Sequence, residues 1–203
     1  MSRENPGTRE KILRAALELL EASRGQGVRM SDIAKRAGIS RQALYLHFAT
    51  RAELLIATTY YLDELKDAEA RLVPSRTART GTERLDAFIE AWGTYIPEIY
   101  GIARALLAMK DTDEAAAKAW GDRMRDMREG CEAAINALDR DGTLSPAHPP
   151  DQATDILWTL LSVRNWEHLT IECGWPQARY IDTMTSLARR LFVTDGTPSQ
   201  AAG

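Results

Sequence analysis

Apolar residues in the first quarter of the chain return every three or four positions. Ile12, Leu13, Ala16, Leu17 and Leu20 fall on one side of a helix predicted from a Thr8 cap to about Ser23, which "GQG" at 25–27 ends. A short helix over about 31–37 follows, and Gly38 can take the left-handed conformation that stops it. Ser40 caps the next, to about Phe48. Thr50 and Glu53 form a T-x-x-E capping box that opens a long fourth helix, in which Leu54, Tyr61, Leu65 and Leu72 recur near helical spacing. "VPSRTARTGT" (73–82) reads as a polar connector.

The pattern stays helical beyond it. One helix is predicted over 83–95. Pro97 ends or kinks it and can open the next, to about Met109. A long helix covers about 113–139, and "DRDGTLSPAHPP" is the clearest loop. Residues 151–172 read as one mostly apolar helix, broken by Gly174, and Pro176 opens a last helix to about Phe192. The tail "TDGTPSQAAG" is expected to be disordered. No segment alternates as a β-strand does, and no internal repeat is present. The expected fold class is therefore all-α, with about nine helices.

Composition narrows the function classes. The chain has 203 residues, 44% hydrophobic and 27% charged, enough for one large domain or two small ones. No apolar run approaches the ~20 residues of a membrane span, and "MSRENPGTRE" lacks the apolar stretch of a secretory signal. Cys131 and Cys173 lie far apart, so free thiols in a cytoplasmic protein are expected. His47, His148 and His168 make neither a metal spacing nor a triad, and there is no G-x-S-x-G elbow or P-loop. No enzyme activity, metal or cofactor is expected.

Charge adds an asymmetry. Residues 1–55 hold 10 Lys/Arg and 6 Asp/Glu, a net +4; the remainder holds 16 and 23, a net −7. A basic head on an acidic body suggests that the head meets a polyanion.

Two short helices joined by a Gly-containing turn are the sequence form of a helix-turn-helix, whose second helix enters the DNA major groove. The N-terminal residues of that helix are Ser40, Arg41, Gln42 and Ala43. Arg can pair with guanine, Gln with adenine, and Ala can touch a thymine methyl. Leu44 and Phe48 share a face that should pack inward. Tyr45 and His47 lie off it, within reach of phosphates, and the N-termini of the third and fourth helices suit phosphate oxygens. An exposed polar helix hairpin is the plainer reading of the same residues.

The stretch "MSDIAKRAGISRQALYLHFATRAELL" resembles the DNA-binding region of the TetR family of bacterial transcriptional regulators. Ile33-Ala34, Ala37 to Ser40, Leu44 to Phe48, and Arg51 with Leu54-Leu55 stand at that family's spacings, and the likeness covers about 8–60. The chain departs from the pattern at Val28 and Arg29, where Thr is common, leaving Ser31 as the nearest cap for the second helix. It also has Arg51 in place of Lys, and Gln42 in place of a small residue. Residues 97–120 and 153–191, the latter with the pair Gly174-Trp175 ahead of the last helix, resemble, more weakly, the effector domain of one large group in the family.

The resemblance implies a DNA-binding domain at 1–52 and a helical effector-binding and dimerisation domain at 53–203. It implies a homodimer on a palindromic double-stranded DNA operator, released by a small-molecule effector. DNA contacts are expected from Arg29, Ser31, Ser40, Arg41, Gln42, Ala43, Tyr45, His47 and Arg51. All five Trp fall in the second part, and aromatic residues on helices are either core or cavity wall. As walls for a mainly apolar effector, Trp92, Tyr95, Leu106, Met124, Trp158, Asn165 and Trp166 are the candidates. Ile156, Leu160 and Val163, with Tyr180, Met184, Leu187 and Leu191 on the last helix, form apolar stripes expected to bury a dimer interface. A transcriptional activator or an architectural DNA binder of the same fold is the alternative.

Overall fold

The computed structural model of the chain describes residues 7–24 and 27–194. Of the expected tail only Thr194 is described, its amide donating to the Thr143 carbonyl at 2.9 Å; the rest, and part of "GQG", lie outside the described residues. Eleven α-helices and one π-helical stretch occur among the described residues, with no strand; a single isolated bridge joins Leu144 and Val193. The residues pack into two compact units, Met1–Ala68 with Pro97–Arg123, and Glu69–Ile96 with Met124–Gly203.

In the first unit, α1 (Thr8–Ala22) packs on α2 (Met30–Ala37) and on α4 (Arg51–Leu65), and α2 packs on α3 (Arg41–His47). The predicted face of α1 is the buried one, with Ile12, Ala16 and Leu20 fully enclosed. Gly7, not Thr8, stands at its cap position. Ile102 and Leu106, from the part of α7 (Gly81–Met109) that belongs to this unit, join the same core. There Gly101 lets two backbones meet. A Cβ on it would lie 2.5 Å from the Leu20 carbonyl oxygen, which no side-chain rotamer could relieve.

α4 is shorter than its apolar recurrence suggests. It stops at Leu65 with Lys66 as its cap, and Asp67 follows at φ +48°, a conformation that a short polar side chain tolerates. Its buried face is Leu54, Leu55, Thr58, Thr59 and Leu62, the two threonine hydroxyls donating to the carbonyls of Leu54 and Leu55 at 2.7 and 2.9 Å. Leu65 is exposed.

The second unit contains α5 (Ala68–Arg71, from its second residue), α6 (Val73–Arg76), the remaining parts of α7 and α8 (Glu114–Arg140), and everything after. The expected polar connector at 73–82 is partly helical. Ser75 is buried in α6, its hydroxyl donating to the Arg84 carbonyl at 3.0 Å.

One expected break is absent, and another stands where none was expected. Helix α7 runs unbroken from Gly81 to Met109 with Pro97 inside it. Proline removes the donor for the carbonyl four residues earlier, Gly93, and that carbonyl accepts instead from Gln177 Nε2 at 2.5 Å. The expected single helix over 151–172 is three pieces: α9 (Pro150–Leu160), α10 (Val163–Trp166) and a π-helical stretch, Glu167–Glu172. The Leu161 carbonyl accepts from Trp92 Nε1 at 2.7 Å, and the Ser162 hydroxyl caps α10 by accepting from the Asn165 amide at 3.3 Å. Gly174, at φ +69°, and Pro176 then separate this stretch from α11 (Gln177–Phe192), as the sequence predicts.

Candidate nucleic-acid interface

The turn between α2 and α3 is built by local chemistry. α2 buries Met30, Ile33 and Ala34. Its first turn is held by the Asp32 carboxylate, which accepts from the Arg29 amide at 3.1 Å. Ser31, the expected cap, is an exposed residue of that first turn, and Arg29 holds the cap position. Gly38, at φ +72°, ends α2, and Ser40 starts α3 by accepting from the Ala43 amide at 3.0 Å. The Arg36 guanidinium ties α2 to α1 through Glu18 at 2.5 Å.

α3 then divides sharply. Leu44 and, just past its end, Phe48 are buried at 0% and 1% exposure. Arg41, Gln42, Tyr45, Leu46 and His47 are exposed, and Ala43 is half-buried. The Arg41 guanidinium lies 5.5 Å from the Tyr45 ring centroid, one turn along. This cation–π contact holds Arg41, a base-reading candidate, against Tyr45, a phosphate-reaching one. Arg9 from α1 sits over Phe48 in the same way, at 5.2 Å.

The start of α4 is the second polar edge. The Thr50 hydroxyl accepts from the Glu53 amide at 3.0 Å, as predicted. The Glu53 carboxylate does not close the box on Thr50; it accepts from the Ala49 amide at 2.8 Å. The amides of Arg51 and Ala52 fall in the first turn, where no intrahelical acceptor exists, and the Arg51 side chain is half-buried beside them. The nine DNA-contact candidates thus all lie in the first unit, on the first residues of α2, on α3 and on the start of α4.

The expected effector walls divide differently. Leu106 belongs to the core of the first unit, while Trp92, Tyr95, Met124, Trp158, Asn165 and Trp166 belong to the second. Within that unit several are bonded already. Trp92 donates to Leu161, Trp166 Nε1 donates to Gln177 Oε1 at 2.9 Å, and Asn165 Nδ2 donates to the Thr159 carbonyl at 2.6 Å. Arg71 lies over the Tyr95 ring at 5.3 Å. The Trp92 indole therefore ties the end of α9 to α7, and the Trp166 indole ties α10 to α11, roles that aromatic spacing alone does not reveal. An open surface trough of ≈ 720 Å³ in the second unit, between α7 and α11, is lined by other residues, among them Asp86, Glu90, Asp182 and Arg189.

The apolar stripes also separate. Val163, Tyr180 and Met184 are buried at 4%, 0% and 4% within the chain itself. Ile156, Leu160 and Leu191 are half-buried, and Leu187 is 37% exposed. No described helix is long and apolar enough to cross a membrane.

Residues 12–58 match the family described as bacterial regulatory proteins, tetR family. The chain is 28% identical over 180 residues to the HTH-type transcriptional regulator CymR of Pseudomonas putida, covering 84% of this chain and 81% of that one. It is 25% identical over 194 residues to the HTH-type transcriptional repressor LfrR of Mycolicibacterium smegmatis, covering 94% and 96%. Its fold is shared with a transcriptional regulator from Saccharomonospora viridis solved in complex with choline. The two superpose with a TM-score of 0.78 at 17% identity, over 92% of this chain and 97% of that one.

Proposed function

The chain belongs to the TetR family of bacterial transcriptional regulators, and from that premise we propose that it is a ligand-responsive repressor. It binds a palindromic operator as a homodimer and leaves it when a small, mainly apolar effector binds. Residues 1–52 read the DNA, and 53–203 take the effector and the second copy. The observation that carries the reading is α3, where Leu44, with Phe48 just past its end, is buried while Arg41, Gln42 and Tyr45 stand exposed between two capped helix starts. This arrangement suits base edges and phosphates.

Arg41 and Gln42 read bases, with Ala43 beside them. Tyr45, His47, Arg51, Arg29, Ser31 and Ser40 hold the backbone. Repression is supported by the likeness to LfrR, a repressor, and effector binding by the choline complex of the same fold. For this chain the second unit supplies half-buried Trp158 and Met124, which favour an apolar, adaptable site over a phosphate-binding one. The effector acts only if it binds the DNA-released conformation more tightly than the DNA-bound one; equal affinities would shift nothing.

The test is a selection on random duplex DNA with the full chain, followed by titration of hydrophobic compounds against the selected operator. A palindromic site, and compounds that both quench Trp fluorescence and lower operator occupancy, are expected. Selection of no sequence would overturn the regulator reading. Compounds that bind and never change occupancy would overturn the effector switch alone.

A further inference from the structure

The most exposed large apolar side chain of the described residues stands on the proposed recognition helix. Leu46 is 83% exposed, while Leu44 and Phe48 on either side of it are buried. At 3.6 residues per turn, Leu46 lies about 200° around the helix from Leu44, pointing straight away from the core. Gln42 is also two residues from Leu44, on the other side, and so falls one turn before Leu46 on the same outward line. The side chain that projects furthest from the helix-turn-helix is therefore a leucine, with an amide one turn behind it.

Single exposed leucines are common on protein surfaces. This one has unusual company. Arg41 and Tyr45 flank it on one side, His47 follows it, and residues 1–55 carry a net +4. An apolar tip beside a guanidinium, on a head of net positive charge, does not suit a second apolar protein face. It suits a polyanion that offers an apolar feature at its centre. In the DNA major groove the C5-methyl of thymine is that feature, and it distinguishes thymine there from every other base.

We infer that Leu46 reads a thymine, by packing on its C5-methyl in the major groove next to the base that Gln42 contacts. The inference rests on the DNA reading above and names one further specificity residue within it. Gln42 supplies hydrogen-bond recognition, and Leu46 supplies recognition of the apolar methyl. Leu46 makes no demand on the fold, since its side chain touches little of the protein, so it can be replaced without unfolding the head.

The experiment uses the full chain and its selected operator. Each thymine is replaced in turn by uracil, which removes only the methyl and leaves the hydrogen-bonding edge intact. For the wild type, one symmetry-related pair of positions should lose affinity by about fourfold per half-site, as expected for about 0.8 kcal/mol from one buried CH₂-sized group. Leu46→Ala should lose a similar factor on the thymine operator and be indifferent to uracil at that pair. Leu46→Lys should lose the thymine preference while keeping affinity for random DNA. Three results would overturn the assignment. Leu46→Ala could bind the thymine operator as the wild type does. It could weaken thymine and uracil operators alike and keep their ratio, which marks a sugar–phosphate contact. Or no thymine position could be sensitive to uracil. Failure of the DNA reading looks different: the wild type itself would select no sequence.

Discussion

Gln177 donates from its side-chain Nε2 to the main-chain carbonyl of Gly93 at 2.5 Å, across 84 positions of sequence. That carbonyl is the one a helix would leave without a donor when Pro97 stands four residues on. The same amide group accepts, through Oε1, from Trp166. One side chain thus satisfies a helix interior and an indole together, and it explains why α7 crosses a proline without ending.

Replacing Gln177 with Leu removes the hydrogen bonds that it makes to the Gly93 carbonyl and to the Trp166 indole. The expected loss of unfolding free energy is about 1–3 kcal/mol, the usual cost of stranding a buried polar group. In a Pro97→Ala background the helix regains its own donor for Gly93, so the same replacement should cost about 1 kcal/mol less. Urea unfolding of the four chains in this cycle measures the difference. Identical costs in both backgrounds would mean that the Gly93 bond carries no weight.

On DNA, the two polar edges should respond differently. Arg41→Ala should lose about 1–3 kcal/mol on the selected operator and relax preference at one base pair. Arg51→Ala should weaken all duplexes similarly and lower the slope of log affinity against log salt by about 1. Fluorescence anisotropy over a salt series reads both. If Arg41→Ala leaves operator binding unchanged, α3 is not the reading helix.

Local chemistry made the head legible from sequence. The Ser40 and Thr50 caps, the Gly38 stop and the buried pair Leu44 and Phe48 depend on residues within a few positions of each other, and each stands where the pattern puts it. The second half was less legible because distant residues decide it. Nothing near Pro97 announces Gln177, and nothing near Leu161 announces the Trp92 indole that takes its carbonyl. Apolar periodicity marked Tyr180 and Met184 as a face in need of cover, but it could not say that the subunit's own helices provide it. Leu46 was available from the helical wheel alone, two residues from Leu44, and is passed over when only hydrogen-bonding side chains are considered.

Tyr180 offers a test of that burial. Its hydroxyl is enclosed with no hydrogen-bond partner among the described residues, and burial pushes the phenol above its usual 10.0. Burial likewise raises the Cys131 thiol above 9.0. Both groups are held neutral by the fold, so their contribution is intact at low pH. It is lost as pH rises past the unfolded values, where the unfolded chain releases protons that the folded chain keeps. Unfolding free energy should thus decline above about pH 9. Tyr180→Phe should stabilise the chain by about 1 kcal/mol at neutral pH and flatten the limb above pH 10. A destabilised Tyr180→Phe would show that the hydroxyl has a partner after all.

The surface left for a second copy follows from what the chain has already covered. Val163, Tyr180 and Met184 lie within the subunit, so on α11 the apolar positions still open are Leu187 and Leu191, one turn apart. On α9, Ile156 and Leu160 are half-buried at the same spacing. Four such residues, doubled by a two-fold axis, would form a small apolar centre to an isologous interface. Leu187 is the most exposed of them and touches its own subunit least, so its replacement should affect assembly before folding. Leu187→Asp puts two carboxylates near the proposed axis, where neither finds a partner. Sedimentation at micromolar concentration should show the wild type as a dimer and Leu187→Asp as a monomer. The variant should keep its helical circular dichroism and lose operator affinity, because each head then binds its half-site alone. A variant that remains dimeric would place the interface elsewhere on the chain, and a monomeric wild type that still binds a palindrome would remove the dimer from the mechanism.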